Sequence, residues 1–183
     1  MRRLILASAS PRRRELLNLI TDSFDVIVSE CDENITGLSP EKLVCEPAKR
    51  KADAVFEANM DAVVIGADTV VAVDDIILGK PSSREEAKSF IKMMRGRAHK
   101  VYTGIAVISK DKKVYAYDET SVEFADMSDA EIEAYLDVND YGDKAGAYGI
   151  QGAAAKHIKK INGCYYNVMG LPVALLYEIL KNF

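Results

Sequence analysis

A chain of 183 residues, 49% hydrophobic and 28% charged, is composed like an ordinary globular protein, large enough for one α/β domain or two tightly fused lobes around a sizeable core. Its net charge of -4 excludes a general nucleic-acid binder, which carries a basic face over much of its surface, so any anion site must be local. Cys31, Cys45 and Cys164 are odd in number, widely spaced and without a CxxC pair, which fits a reducing cytoplasm, and with only His99 and His157 besides them no structural zinc site is expected.

The apolar run Leu4 to Ala7 reads as a short buried strand, Ser8 to Pro11 as a tight turn and Arg12 to Leu19 as a helix. Four apolar residues are too few for a membrane span or a signal peptide. Ser10 can cap the helix with Pro11 in its first position, where a missing N–H is harmless. Arg12, Arg13 and Arg14 then crowd the positive end of the helix dipole, which disfavours them unless an anion sits among them. Two readings are open, a cradle for a phosphate-bearing ligand and a solvated basic helix start. The buried strand and the two serines favour the anion site.

Residues 24–30 read as a second strand and 31–34 as an acidic loop, in which Glu33 is either a metal ligand or plain loop polarity. Ser39 and Pro40 open a helix, and Pro47 should kink it or divide it into two short helices before Asn59. Lys49, Arg50 and Lys51 on its second half read as a solvated face. Residues 61–73 form the most buried-looking strand, with Asp68 set in the middle of it. A carboxylate there is expensive unless paired, hydrogen-bonded or bound to a metal, so Asp68 is the strongest single sign of chemistry; the alternative is that it satisfies a bend at Gly66.

A turn at Asp74 and Asp75, a returning strand from Ile76 to Leu78 and a loop presenting Lys80 follow. Ser83 and Glu86 form a capping-box pattern for a helix that should run to Arg95 and stop at Gly96. Residues 100–109 and 113–125 suggest a long hairpin, and Ser128 with Glu131 a second capping box. Residues 142–152 carry four glycines in eleven residues, a loop that lets backbone approach a ligand closely. Asn162-Gly163, flanked by HIKKI and CYYNV, is a strong hairpin signal, and a last helix spans 171–181. No P-loop, G-x-G-x-x-G or G-x-S-x-G motif occurs, so any phosphate chemistry must use scattered arginines and lysines with an acid-held metal.

LASASPRR (6–13), KRKA (49–52), GADTVV (66–71), GKP (79–81), HKVYTG (99–104), DKAGAYGIQG (143–152) and NGCYYNVMGLP (162–172), in that order, resemble the Maf family of nucleoside triphosphate pyrophosphatases along nearly the whole chain. The resemblance implies one domain over 1–183 with an elongated two-lobed α/β fold: a central mixed β-sheet flanked by helices, and a cleft between the lobes. It also implies hydrolysis of a nucleoside triphosphate to monophosphate and pyrophosphate with a divalent cation, Mg²⁺ or Mn²⁺, by a protein that commonly forms dimers; with the charge, apolar-run and cysteine readings above, the expectation is a cytoplasmic homodimer with no nucleic-acid or membrane partner.

Carried over by position, the family's phosphate-binding residues fall on Ser8, Arg13, Lys51 and Lys80, and its catalytic acid on Asp68. One departure from the family pattern is Pro47, where relatives usually keep a helix-compatible apolar residue. Asp68 would act as general base or as ligand of the metal, with Glu33 as second ligand. Base choice in the family follows the positions of Arg12, Thr69 and Gln151, and this chain resembles the dTTP/UTP group at all three. A glutamine amide offers uracil or thymine one donor and one acceptor; the alternative is that Gln151 merely ties down the glycine-rich loop. A nucleotidyltransferase, or a nucleotide-sensing regulator of cell division tied to the family's association with septum inhibition, are the rival readings. The costly buried acid argues against a pure sensor.

Overall fold

The computed structural model describes residues 2–29, 31, 37–74 and 76–183. Leu4–Ala7 forms β1, its last three side chains fully buried. The other strands are β2 (Asp25–Val26), β3 (Val63–Val73), β4 (Ile76–Leu78), β5 (Ala98–Ile108), β6 (Lys113–Phe124) and β7 (Ile158–Asn162). They make one mixed sheet in the order β2-β1-β3-β5-β6-β7, with β4 paired to β3. β1 runs parallel to both β2 and β3, whereas β4 on β3 and β7 on β6 are antiparallel. Among the described residues the α-helices are α1 (Pro11–Leu17), α2 (Pro40–Glu57), α3 (Arg84–Met94), α4 (Asp129–Asp137), α5 (Tyr165–Met169) and α6 (Val173–Leu180). Among the described residues no helix is long and apolar enough to cross a membrane.

The chain divides into two compact units, one of Met1–Thr69, Thr103–Asp118 and Gly170–Phe183, the other of Val70–Tyr102 and Glu119–Met169. In the first, Ile5 and Ala7 of β1, Val64 of β3, and Ala106 and Ile108 of β5 pack with Ala48, Ala52 and Val55 of α2. The parallel register Ala7↔Gly66 brings the turn that leaves β1 alongside the GADT stretch of β3. Carboxyl ends of parallel strands are where open α/β sheets bind ligands.

α2 is a single helix with Pro47 inside it, so of the two expectations, a kink or two short helices, the division is not met. Contacts on either side of the proline hold it together. A Cβ at Gly104 would stand 2.4 Å from the Val44 carbonyl oxygen, and one at Gly66 would stand 2.1 Å from that of Ala48. Backbone therefore lies directly on backbone both before and after Pro47, and the packing outweighs the lost N–H. The expected strand at 24–30 shrinks to the two residues of β2, and the expected ligand Glu33 lies outside the described residues.

In the second unit, Val71, Val73, Ile91, Met94, Val122, Phe124, Ile132 and Leu136 form the centre of the core. Ser128 and Glu131 make the expected capping box on α4. On α3, Ser83 caps through the Glu86 N–H, but the Glu86 carboxylate accepts from Ser82 instead of Ser83. Asn162-Gly163 does not close a hairpin, because β7 leads into α5. Gly163 has φ 129 and its missing Cβ would meet Thr120 Oγ1 at 2.8 Å. Thr120 Oγ1 accepts from the Cys164 N–H at 3.0 Å, and Asn167 donates to Thr120 Oγ1 and to the Val101 carbonyl. These tertiary bonds replace the ladder that a second strand would have made.

Candidate active site

Asp68 is two residues beyond Gly66 on β3, so both point to the same face of the sheet. Ala48, whose carbonyl abuts Gly66, lies three residues before Lys51 on α2 and therefore on the same side of that helix. The close approach at Gly66 thus seats lysine opposite acid. Lys51 Nζ donates to Asp68 Oδ1 at 2.7 Å, with side chains only 8% and 18% exposed. A solvated face describes Lys49 and Arg50 better than Lys51, which is turned inward. Nor does Gly66 make a bend for Asp68 to satisfy: β3 is continuous through it, and its role is to admit α2.

Arg13 rises from the first turn of α1, which Ser10 caps by accepting from the Arg13 N–H. Its guanidinium turns toward the protein. Nε donates to the Gly170 carbonyl at 2.8 Å, Nη1 to the Ala67 carbonyl at 2.9 Å and to Ser8 Oγ at 3.3 Å, and Nη2 to Thr69 Oγ1 at 3.0 Å. Thr69 Oγ1 also lies 3.0 Å from Thr103 Oγ1. One cation thus ties the turn after β1, the GADT stretch and the segment before α6. Gly170 permits this with φ 109 and no Cβ, since a Cβ would stand 3.3 Å from Thr69 Oγ1. Arg12 is half-buried beside Arg13 on the same helix.

Ser8, Arg12, Arg13, Lys51, Asp68 and Thr69 therefore belong to one unit. Lys80 and Gln151 are exposed residues of the other. Within that unit their two segments are joined, because the Gly146 N–H donates to the Gly79 carbonyl at 2.9 Å. Tyr135 donates to the Ala147 carbonyl, and His99 Nε2 pairs with the Tyr148 hydroxyl at 2.7 Å. Burial lowers the His99 pKa from 6.5 to about 4 and raises that of Tyr148, so both stay neutral near pH 7. Gly146 and Ala147 both take positive φ, 67 and 62, in the turn that precedes Gln151.

A model of the Maf-like protein family matches residues 3–183. The chain belongs to the Maf family. Among relatives of this Maf chain are proteins named dTTP/UTP pyrophosphatase from Bacillus cereus (strain Q1) and Bacillus anthracis (strain CDC 684 / NRRL 3495). Each is 48% identical over 184 residues, covering 100% of this chain and 96% of the relative. A solved structure of the Staphylococcus aureus Ham1 protein shares the fold, with a TM-score of 0.56, 16% identity and 98% of each chain covered. Reading the sequence alone missed three members of the cluster around Arg13 and Thr69: Thr103 and the carbonyls of Ala67 and Gly170. Thr103 and Gly170 sit in the HKVYTG and NVMGLP stretches, which was the available signal; a backbone carbonyl leaves none.

Among the described residues no group of three or more His, Cys, Asp and Glu side chains could hold a metal. Among the described residues of this cluster the carboxylate is that of Asp68, partly exposed. This fits Mg²⁺ or Mn²⁺ held jointly with substrate phosphates, since magnesium commonly takes one or two carboxylates plus phosphate oxygens, and it does not fit an all-protein cage.

Proposed function

We propose that this chain hydrolyses dTTP and UTP to the nucleoside monophosphate and pyrophosphate. The observation that carries the reading is the Lys51–Asp68 pair set beside the Ser8, Arg13 and Thr69 hydroxyl and guanidinium cluster. The full-length relatives named dTTP/UTP pyrophosphatase support the choice of substrate.

In the reaction a water oxygen bonds to the α-phosphorus, the bond from that phosphorus to the α,β-bridging oxygen breaks, and pyrophosphate leaves with the electron pair. Asp68 acts through the carboxylate oxygen that does not face Lys51, as general base toward the water or as ligand of the cation. Lys51 holds Asp68 in place and, with Arg13 and Ser8, offsets the polyphosphate charge. Lys80 serves the phosphates as well, and Arg12, Thr69 and Gln151 serve the base. A divalent cation on Asp68 and the phosphates would supply charge neutralisation and a more acidic water. The same reading makes the working form a homodimer in the cytoplasm, with no nucleic acid as partner.

The test is to incubate the purified protein with dTTP, UTP, CTP, ATP and GTP in Mg²⁺ or Mn²⁺ and to measure pyrophosphate and monophosphate with no acceptor other than water. The reading requires release of both products from dTTP and UTP ahead of the others. Orthophosphate with diphosphate instead would place the attack elsewhere and end it.

A further inference from the structure

We propose that Tyr135 is a positioning residue: by holding the Gly146-Ala147 turn that joins the segments of Lys80 and Gln151, it sets the spacing between those two side chains. This rests on the functional reading above, in which Lys80 serves the phosphates and Gln151 the base.

The turn is tied to both segments. The Gly146 N–H donates to the Gly79 carbonyl at 2.9 Å, one residue before Lys80. Gln151 follows Ala147 by four residues, in a loop that is closely seated. A Cβ at Gly149 would stand 2.8 Å from Lys144 Cε, and one at Gly152 would stand 2.2 Å from Asp140 Oδ2. Chain packed this tightly passes a shift along instead of absorbing it.

The turn is not one that its own residues choose. Ala147 has φ 62, a left-handed conformation that is costly for a residue with a Cβ, and its side chain is fully buried. The Tyr135 hydroxyl donates to the Ala147 carbonyl at 2.8 Å, and Tyr135 is only 2% exposed. The direction of this bond is fixed, because a carbonyl can only accept. α4, which carries Tyr135, is in turn fastened to α3, the helix that begins four residues after Lys80. Arg84 Nη2 donates to Glu133 at 2.8 Å and to Asp137 at 2.7 Å, two residues to either side of Tyr135. Without the hydroxyl the Ala147 carbonyl loses its buried donor, and Ala147 is released toward negative φ. The Gly146 N–H then shifts against Gly79, and the spacing of Lys80 and Gln151 changes with it. A ligand that spans both residues depends on that spacing, whereas a ligand that meets one of them does not.

The experiment measures kcat/KM for dTTP, and the inhibition constants of dTMP and pyrophosphate, in the wild type, Tyr135→Phe and Ile132→Val. The two products divide the ends of the substrate between them. In Tyr135→Phe, kcat/KM for dTTP should fall by about 10-fold or more, while both inhibition constants stay within about twofold of wild type. Ile132→Val removes one methylene from the buried side of the same helix and controls for lost stability; all three quantities should stay within about twofold. If phenylalanine does not give a folded protein by circular dichroism, Tyr135→Met takes its place with the same comparison. A wild-type kcat/KM in the hydroxyl-free variant overturns the proposal. So does an equal fall in Ile132→Val, which would assign the effect to stability, and so does an inhibition constant that rises as far as kcat/KM falls, which would make Tyr135 the support of one segment alone. A wild-type protein that hydrolyses neither dTTP nor UTP would instead overturn the functional reading together with this inference.

Discussion

Lys51 Nζ and Asp68 Oδ1 are 2.7 Å apart because the residue two before Asp68 is a glycine onto which α2 settles directly. The pair joins α2 to the strand that carries the acid. Both side chains are largely withdrawn from water, so removing one partner costs the other a charge-assisted hydrogen bond in a poorly solvated place.

Asp68→Asn should reduce kcat by at least about 10²-fold and leave nucleotide affinity within about tenfold, because the amide neither takes a proton nor holds a cation well. Its oxygen can still accept from Lys51, so the stability loss should stay on the order of 1–3 kcal/mol. Steady-state kinetics and urea unfolding of the same preparation check both. A variant keeping more than a tenth of the activity would make Asp68 a structural residue.

Arg13→Ala should act twice. It removes the donor from the buried Ala67 and Gly170 carbonyls, at about 1–3 kcal/mol for a buried group left unsatisfied. It should also weaken dTTP binding more than dTMP binding, by roughly 1.5–3 kcal/mol, through a lost charge-assisted contact to the outer phosphates. Calorimetric titration of the two nucleotides separates these effects. Equal losses for both ligands would limit Arg13 to clasping the strands together.

Gly66→Ala should be among the most damaging small substitutions, since its Cβ would stand 2.1 Å from the Ala48 carbonyl oxygen. The backbone atom cannot swing away as a side chain does, so α2 must lift. A stability loss of about 3 kcal/mol or more, or a Tm lower by roughly 6–12 °C, is expected. Activity measured well below the Tm should fall too, because Lys51 leaves Asp68 as the helix moves. An unchanged Tm would show that the contact is soft.

His99 makes stability depend on pH. Its folded pKa of about 4 lies below the ordinary 6.5, so the unfolded chain takes up the proton first as pH falls. Stability from this group is complete above about pH 6.5 and declines as pH drops toward 4. From pH 7 to pH 5 the loss should be about 2 kcal/mol larger in the wild type than in His99→Gln. Carboxylates held below their ordinary range by ion pairs or hydrogen bonds, such as Glu131 and Glu133, weaken in the same direction in both proteins, so the difference isolates the histidine. Parallel curves for the two proteins would rule this account out.

Gln151→Glu should lower the dTTP rate by about 10-fold to 100-fold, because a carboxylate would face a carbonyl that needs a donor. The exposed position makes misfolding an improbable cause, and a melting curve checks it. If Gln151 only ties down the glycine-rich loop, dTTP and purine triphosphates should lose rate alike.

Much of this protein is written locally. The strand Leu4–Ala7, the Ser10 cap with Pro11, the capping box at Ser128 and the acid inside an apolar strand each depend on side chains within about four residues of one another, and each is where the sequence places it. The tertiary structure decided what depends on distant partners. Lys51 is indistinguishable from Lys49 and Arg50 along the chain, and only Gly66, fifteen positions later, turns it inward. Pro47 would break a helix in water, yet α2 persists because Gly104 and Gly66 hold it on both sides. Asn162-Gly163 would close a hairpin, yet Thr120 and Asn167 draw the chain into α5. Arg13 sits among free N–H groups in the sequence, and in the fold it reaches carbonyls at Ala67 and Gly170 that no residue type announces. Caps and buried strands draw on neighbours along the chain, whereas the direction of a long charged side chain is chosen by whichever acceptors the packing brings within 3 Å.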